Sequence, residues 1–308
     1  MRETALRALL IIPVLALTLI GPGAAVSARG QVGACGDGLG PCRCGDTVVV
    51  DTKLGGTDPV LSTPCPCVGL LVISGVTLVI GGTIRGASGN TCSGIVVPPR
   101  ATDVVVTTGR IVGFETAVEG GNIATFGVRR SEFSRLQVVD NNLGISILGD
   151  DNLIARNVST RSQFVGIGVS GARNVVTLNR TEEGQSGFDV DGSENVVSRN
   201  VALRHQLDGI TISGEHALVE RNRSQGNDGA GFVISQSNHT VSLNIAQGNA
   251  SDGFFIPASD SRFTRNRSSY NGGFGLDVIG NGVSGNTFTD NLCTGNLLGD
   301  SHPPGLCF

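Results

Sequence analysis

The chain has 308 residues, of which 46 are Gly, with no Trp, one Tyr and one Met. Gly at this level without a three-residue period excludes collagen, and 39% hydrophobic with 16% charged residues excludes a disordered chain. A formal net charge of −4 is too small for bulk electrostatics to point to nucleic acid or to a membrane surface as a partner.

The N-terminus reads as a targeting segment. Arg2 and Arg7 flank the start of an apolar run over residues 8–20. That run is shorter than the roughly 20 residues a bilayer-crossing helix needs. The small residues Val26-Ser27-Ala28 follow, so residues 1–28 are predicted to be a signal peptide cleaved before Arg29. The protein is therefore expected to be exported: secreted, periplasmic or at the cell surface. No later apolar run is long enough for a stable membrane span.

The eight cysteines are Cys35, Cys42, Cys44, Cys65, Cys67, Cys92, Cys293 and Cys307. An even count in an exported chain reads as disulfides. Cys42-x-Cys44 with Cys65-x-Cys67 offers four thiolates for zinc as an alternative, but the C-x-C spacing and export favour disulfides. The connectivity stays open at this point. Residues 29–100 are expected to form a Cys-rich cap with the first coils, residues 101–292 the repeats, and residues 293–308 a C-terminal cap.

The repeats decide the fold. Gly followed by an apolar residue recurs at Gly144, Gly166, Gly187, Gly209, Gly231, Gly253 and Gly275, in steps of 21 or 22 residues. Asn157, Asn179, Asn200, Asn222, Asn244 and Asn266 recur in phase. A fixed period of this size signals a solenoid. Positions +1 and +3 after each Gly are apolar (Phe188 and Val190, Ile210 and Ile212), while position +2 varies (Ser146, Gly168, Asp189, Thr211, Val233, Phe255, Asp277). That alternation describes a short strand with one buried face. A second apolar column three residues before each Asn (Ile154, Val176, Val197, Val219, Val241, Phe263) marks a second strand. Leucine-rich repeats share the period, but they need repeated Leu and a connecting helical segment. The fold class expected is all-β, a right-handed parallel β-helix of about ten coils with roughly 22 residues per coil. The Gly column is expected to supply positive-φ bends, and the Asn column a buried ladder. The sequons at Asn157, Asn179, Asn222 and Asn266 are by-products of that ladder, since an inward Asn is not a glycosylation acceptor.

The G-I-x-[VI]…N pattern resembles the NosD-like repeats of the pectate-lyase-like superfamily. Cys44-Gly45-Asp46-Thr47-Val48 and the segment from Val76 through Gly81-Gly82-Thr83 to Gly86 are similar to the opening of secreted bacterial β-helix repeat proteins. The resemblance implies the fold and leaves the reaction unassigned.

Candidate chemistry is sparse. Asp189 and Asp191 lie two apart on one strand, so their side chains share a face about 7 Å apart. That separation suits an acid–base pair in glycoside hydrolysis. Asp208 and His205, in the next coil, are expected to be able to join them. Gly149-Asp150-Asp151 echoes one polygalacturonase motif, and turn chemistry explains it equally well. Arg156, Arg180, Arg199, Arg221, Arg223, Arg265 and Arg267 flank the Asn column and would align into a basic stripe able to hold an anionic polysaccharide. Glu182, Glu183, Glu194 and Glu220 are placed to neutralise it. The four His residues share no column, so no metal site is expected, nor any cofactor. Phe255, Phe274 and Tyr270 are candidates for an exposed aromatic patch, but with no Trp and a single Tyr the chain is poor in the platforms a sugar cleft uses. The expected function is a non-catalytic extracellular or cell-surface binding or structural module, with polysaccharide as the partner. The alternative is a polysaccharide lyase or glycoside hydrolase using Asp189, Asp191 and Asp208. Ligand binding is assigned to Arg199, Arg221, Arg223, Arg265 and Arg267.

Overall fold

The computed structural model describes residues 33–120, 127–280 and 285–308. The predicted signal peptide and its cleavage site lie outside the described residues. The described chain winds into a parallel β-solenoid whose strands fall into three sheets of 14, 11 and 10 strands. One coil illustrates the rest. Val165–Ser170 belongs to the first sheet, Val175–Thr177 to the second and Arg180–Glu182 to the third, and Ser186–Asp191 then returns to the first sheet one coil on. Three sheets are present where two strand columns were readable. Among the described residues α-helix is confined to the single turn Pro59–Ser62.

Register follows the sequence columns. Ile145, Ile167, Phe188, Ile210, Phe232, Phe254 and Leu276 stack as Cα partners up the inner face of the first sheet. Ile154, Val176, Val197, Val219, Val241 and Phe263 do the same in the second. The rings of Phe232 and Phe254 stack at 4.6 Å. The third sheet turns small residues inward: Ser159, Thr181, Ala202, Ser224, Ala246 and Ser268.

Those small residues explain the Gly column, and they correct the expectation made for it. Of its members none has positive φ. They are Gly because the coil is narrow there. A Cβ at Gly209 would collide with Ser224 Oγ, one at Gly253 with Ser268 Oγ, and one at Gly231 would lie 2.6 Å from the carbonyl oxygen of Gly253. The positive φ values sit instead at the corners, on non-Gly residues such as Arg156, Asp151 and Arg161 and on glycines outside the column such as Gly226 and Gly248.

Each corner is satisfied by a buried polar ladder. At the corner between the second and third sheets, Asn157, Asn179, Asn200, Asn222, Asn244, Asn266 and Asn291 each pass a side-chain hydrogen bond to the next. Each Nδ2 also donates to a carbonyl of the preceding coil, as Asn222 does to Val197 O at 2.8 Å. A second ladder, between the first and second sheets, runs through Asn152, Asn174 and Asn195 and continues through His239, Ser261 and Asn286. A third, between the third and first sheets, runs through His205, Asn227, Asn249, Asn271 and Asn296. Among the described residues no buried side-chain polar atom lacks a partner, as burial of polar groups requires.

The cysteines pair as Cys35–Cys42, Cys44–Cys65, Cys67–Cys92 and Cys293–Cys307. This removes the four-thiolate zinc alternative, because Cys42, Cys44, Cys65 and Cys67 are all spent in disulfides. At the other end Phe308 exchanges backbone hydrogen bonds with Asn291 and Cys293 along the edge of the last third-sheet strand, Leu292–Thr294. Such pairing covers a strand edge that would otherwise template association.

Candidate functional site

Outward side chains of the first sheet form rows along the solenoid. One row reads Glu119, Ser146, Gly168, Asp189, Thr211, Val233, Phe255, Asp277 and His302. The next reads Leu148, Ser170, Asp191, Ser213 and Ser235. Asp189 and Asp191 thus share the outer face of Ser186–Asp191, as their spacing predicts. Burial pushes the Asp189 carboxyl above its usual range, and the nearby charge of Asp191 adds to this.

Asp208 does not stand in either row. It lies in the turn before Ile210–Glu215, and its Oδ1 accepts the Ala230 N–H at 2.7 Å. Burial raises its pKa, and the Ala230 N–H opposes that. Asp252 repeats the arrangement two coils on, with its carboxylate accepting the Phe274 N–H at 2.6 Å. His205 departs from expectation altogether. It is inside the solenoid, 1% exposed, as a member of the third ladder. It cannot join an outward carboxylate cluster, because its corner position turns the ring inward, where Nδ1 accepts the Gly184 N–H. The Gly149-Asp150-Asp151 motif is a corner: Asp150 accepts the Ala172 N–H and pairs with Arg129 at 3.0 Å, and Asp151 pairs with Arg173 at 2.7 Å.

The predicted basic stripe is two columns. Arg156, Arg199, Arg221 and Arg265 occupy one corner column at φ 59°, 56°, 56° and 55°, interrupted by Leu178 and Leu243. Arg180, Arg223 and Arg267 start third-sheet strands and alternate with Val201 and Ile245, so they recur every second coil. At about 4.8 Å per coil that is roughly 10 Å between guanidinium groups. Arg199, Arg221, Arg223, Arg265 and Arg267 are all exposed. Arg265 approaches Asp290 at 3.7 Å, and Arg223 reaches Gln247 at 3.4 Å. Of the Glu residues expected to neutralise the stripe, Glu182 pairs with one of its members, Arg180, and also with Arg204, while Glu183 pairs with Arg204. Glu194 stands at a different corner of the coil.

At the C-terminal end of the outer face a cluster appears that sequence reasoning did not assemble. His302 Nδ1 and Asp277 Oδ1 are 3.0 Å apart, and the Phe274 ring stacks on the imidazole at 5.3 Å. Phe255 adjoins Asp277 in the preceding coil. Tyr270 is exposed but stands at a corner, over Gly295, apart from this row. Among the described residues no group of three or more potential metal ligands converges.

Residues 118–261 and 184–302 match the family described as the right handed beta helix region. The chain belongs to this family. Two solved β-helices share its fold. The A-module of the mannuronan C-5 epimerase of Azotobacter vinelandii is 12% identical, with a TM-score of 0.53 over 82% of this chain and 86% of its own. A double mutant of a periplasmic alginate epimerase is 15% identical, with a TM-score of 0.53 over 80% of this chain and 70% of its own. No curated protein sequence matches the chain.

Within this right-handed β-helix, then, the structure brings Asp189 and Asp191 together, holds Asp208 one coil away in a backbone-bonded turn, and lines the arginines along the third sheet and its leading corner. The signal for the missed pair was present in the outward row, which contains Asp277. His302 falls 25 residues later instead of 22, because extra residues between Val278 and Thr287 lengthen that coil. In a strictly periodic reading His302 therefore belongs to no column.

Proposed function

We propose that this protein is an exported β-helix that binds an acidic polysaccharide along its arginine edge without turning it over. The observation that carries the reading is the pair of Arg columns, one recurring every second coil on the strands and one at most of the corners beside it. A linear polyanion lying along the axis would meet a guanidinium at about every second coil on the strand column and more densely at the corner. The four disulfides suit an oxidising compartment, where such polymers occur. The two solved β-helices are named for mannuronan and alginate, which makes polymannuronate the probe of choice. Retention of the mature protein on polymannuronate beads should weaken with added salt. Arg221→Ala/Arg223→Ala should lower affinity about tenfold and flatten the salt dependence. Binding that is salt-insensitive, or unchanged in the double variant, would refute the reading.

A second reading, a polysaccharide lyase or glycoside hydrolase, draws on one observation. A carboxyl raised by burial beside an ionisable partner is what a general acid needs, and Asp189 has that setting next to Asp191. Asp208 would be the third member. Turnover on a panel of uronic-acid and neutral polysaccharides that disappears in Asp189→Asn would establish this reading in place of the first.

A further inference from the structure

The last coils of the first sheet carry a cluster that neither the arginine edge nor the Asp189 pair uses. Asp277 stands in the outward row between Phe255 of the preceding coil and His302 of the following one. Its Oδ1 lies 3.0 Å from His302 Nδ1. With a carboxylate as acceptor, Nδ1 carries the hydrogen, and the neutral ring keeps its lone pair on Nε2. Among the described residues Nε2 has no hydrogen-bond partner. The Phe274 ring lies against the imidazole at an interplanar angle of 25°. The His302 side chain is nevertheless 57% exposed, while that of Asp277 is 15% exposed. The imidazole is therefore held by a largely covered carboxylate and a ring, yet it is open to a ligand. Phe255 is half-buried, in contact register with Val233 on one side and Asp277 on the other. Four coils, about 19 Å, separate this cluster from Asp189.

An aromatic ring beside a fixed donor–acceptor pair is the arrangement that accepts a pyranose. The C–H face of the sugar covers the phenyl ring, and its hydroxyls reach the nitrogen and the carboxylate. A carboxylate in the cluster disfavours a dense polyanion there, so this end favours an uncharged sugar ring over the polyanion that suits the arginine edge. We propose that Phe255, Asp277 and His302 form a sugar-ring subsite at the C-terminal end of the first sheet, separate from the arginine edge. The ligand class rests on the polysaccharide reading given above.

The test is NMR titration of the mature protein, carrying labelled His and Phe rings, with two probes: a hexamer of β-1,4-linked glucose and a hexamer of β-1,4-linked mannuronate. The subsite predicts that the His302 Hε1 and Phe255 ring signals move with the glucose hexamer. Phe255→Leu, which keeps the apolar volume but removes the flat face, and His302→Gln should each weaken that binding about fivefold. Arg221→Ala/Arg223→Ala should leave it unchanged. Circular dichroism identical to wild type certifies that the variants are folded. If neither hexamer moves the His302 signal, or both substitutions bind as wild type, the subsite is refuted. Salt-sensitive retention on polymannuronate beads that still falls in the arginine variant would then leave the arginine-edge reading standing.

Discussion

His205 turns a structural ladder into a pH-dependent one. Its Nδ1 accepts the Gly184 N–H at 3.2 Å, its Nε2 lies 3.0 Å from Thr181 Oγ1, and its own N–H donates to Asn227 Oδ1 at 2.9 Å. An acceptor at Nδ1 fixes the neutral ring with its hydrogen on Nε2. Protonation would place two N–H groups head to head, in a site 1% exposed. Burial accordingly lowers the His205 pKa from 6.5 to about 4. Above pH 6.5 the residue is neutral in both folded and unfolded chains and adds no pH dependence. As pH falls below 6.5 the unfolded chain takes up a proton that the folded chain refuses. Stability therefore drops until the folded pKa near 4 is reached, by about 2 kcal/mol at pH 5 and about 3 kcal/mol in all. His205→Asn supplies the ladder residue of the neighbouring coils, which does not titrate. The carboxylates titrate in both proteins, so the wild-type-minus-variant difference isolates His205. Amide hydrogen exchange around Gly184 and His205, compared at pH 7 and pH 5, reads the local opening free energy without assuming two-state unfolding of a repeat array. Protection that falls equally in both proteins, or a His205 Hε1 resonance titrating near pH 6.5, would refute the argument.

Two further outcomes test the architecture. Asn222→Ala removes the acceptor of the Asn200 N–H, leaving that group buried and unpaired, and takes the side-chain donor away from Val197 O. It should cost about 2–4 kcal/mol in denaturant unfolding, against less than 1 kcal/mol for a substitution at exposed Glu194. Gly209→Ala should cost about 1–3 kcal/mol through the clash with Ser224 Oγ, and Ser224→Gly in the same chain should recover part of that loss. If Gly209→Ala were neutral, close approach would not be what keeps this column Gly.

The coils were legible because the stacking residues repeat by kind. Phe, Ile, Val and Leu exchange freely within the inner rows, and the period survives the exchange. One of three ladders was legible, for the same reason in reverse. The corner before the third sheet uses Asn in seven successive coils. The other corners mix Asn with His239, Ser261 and His205. What those residues share is an acceptor placed to take the N–H of the preceding coil. A search by identity misses that, whereas a search for any acceptor at 21–22-residue spacing would have found it, and would have placed His205 inside. The Asp189–Asp191 pair needed only the two-residue period of a strand. The Asp277–His302 pair needed the true register across a lengthened coil, which the sequence period does not carry.

The arginine corner separates what the fold requires from what it leaves free. Left-handed backbone costs a non-Gly residue about 1 kcal/mol, and the corner before the first sheet uses Gly226, Gly248 and Gly295 at φ 67°, 64° and 66°. The corner before the third sheet has no Gly in its run from Arg156 to Asp290. Leu178 and Leu243 occupy the same column and are 43% and 41% exposed, so an apolar stem without a charge is sufficient for the fold there. Arg156, Arg199, Arg221 and Arg265 provide that stem and a guanidinium besides. The stem satisfies the corner; the charge at its end is the part the architecture does not use, and it is repeated along one edge where a polymer running with the axis would find it.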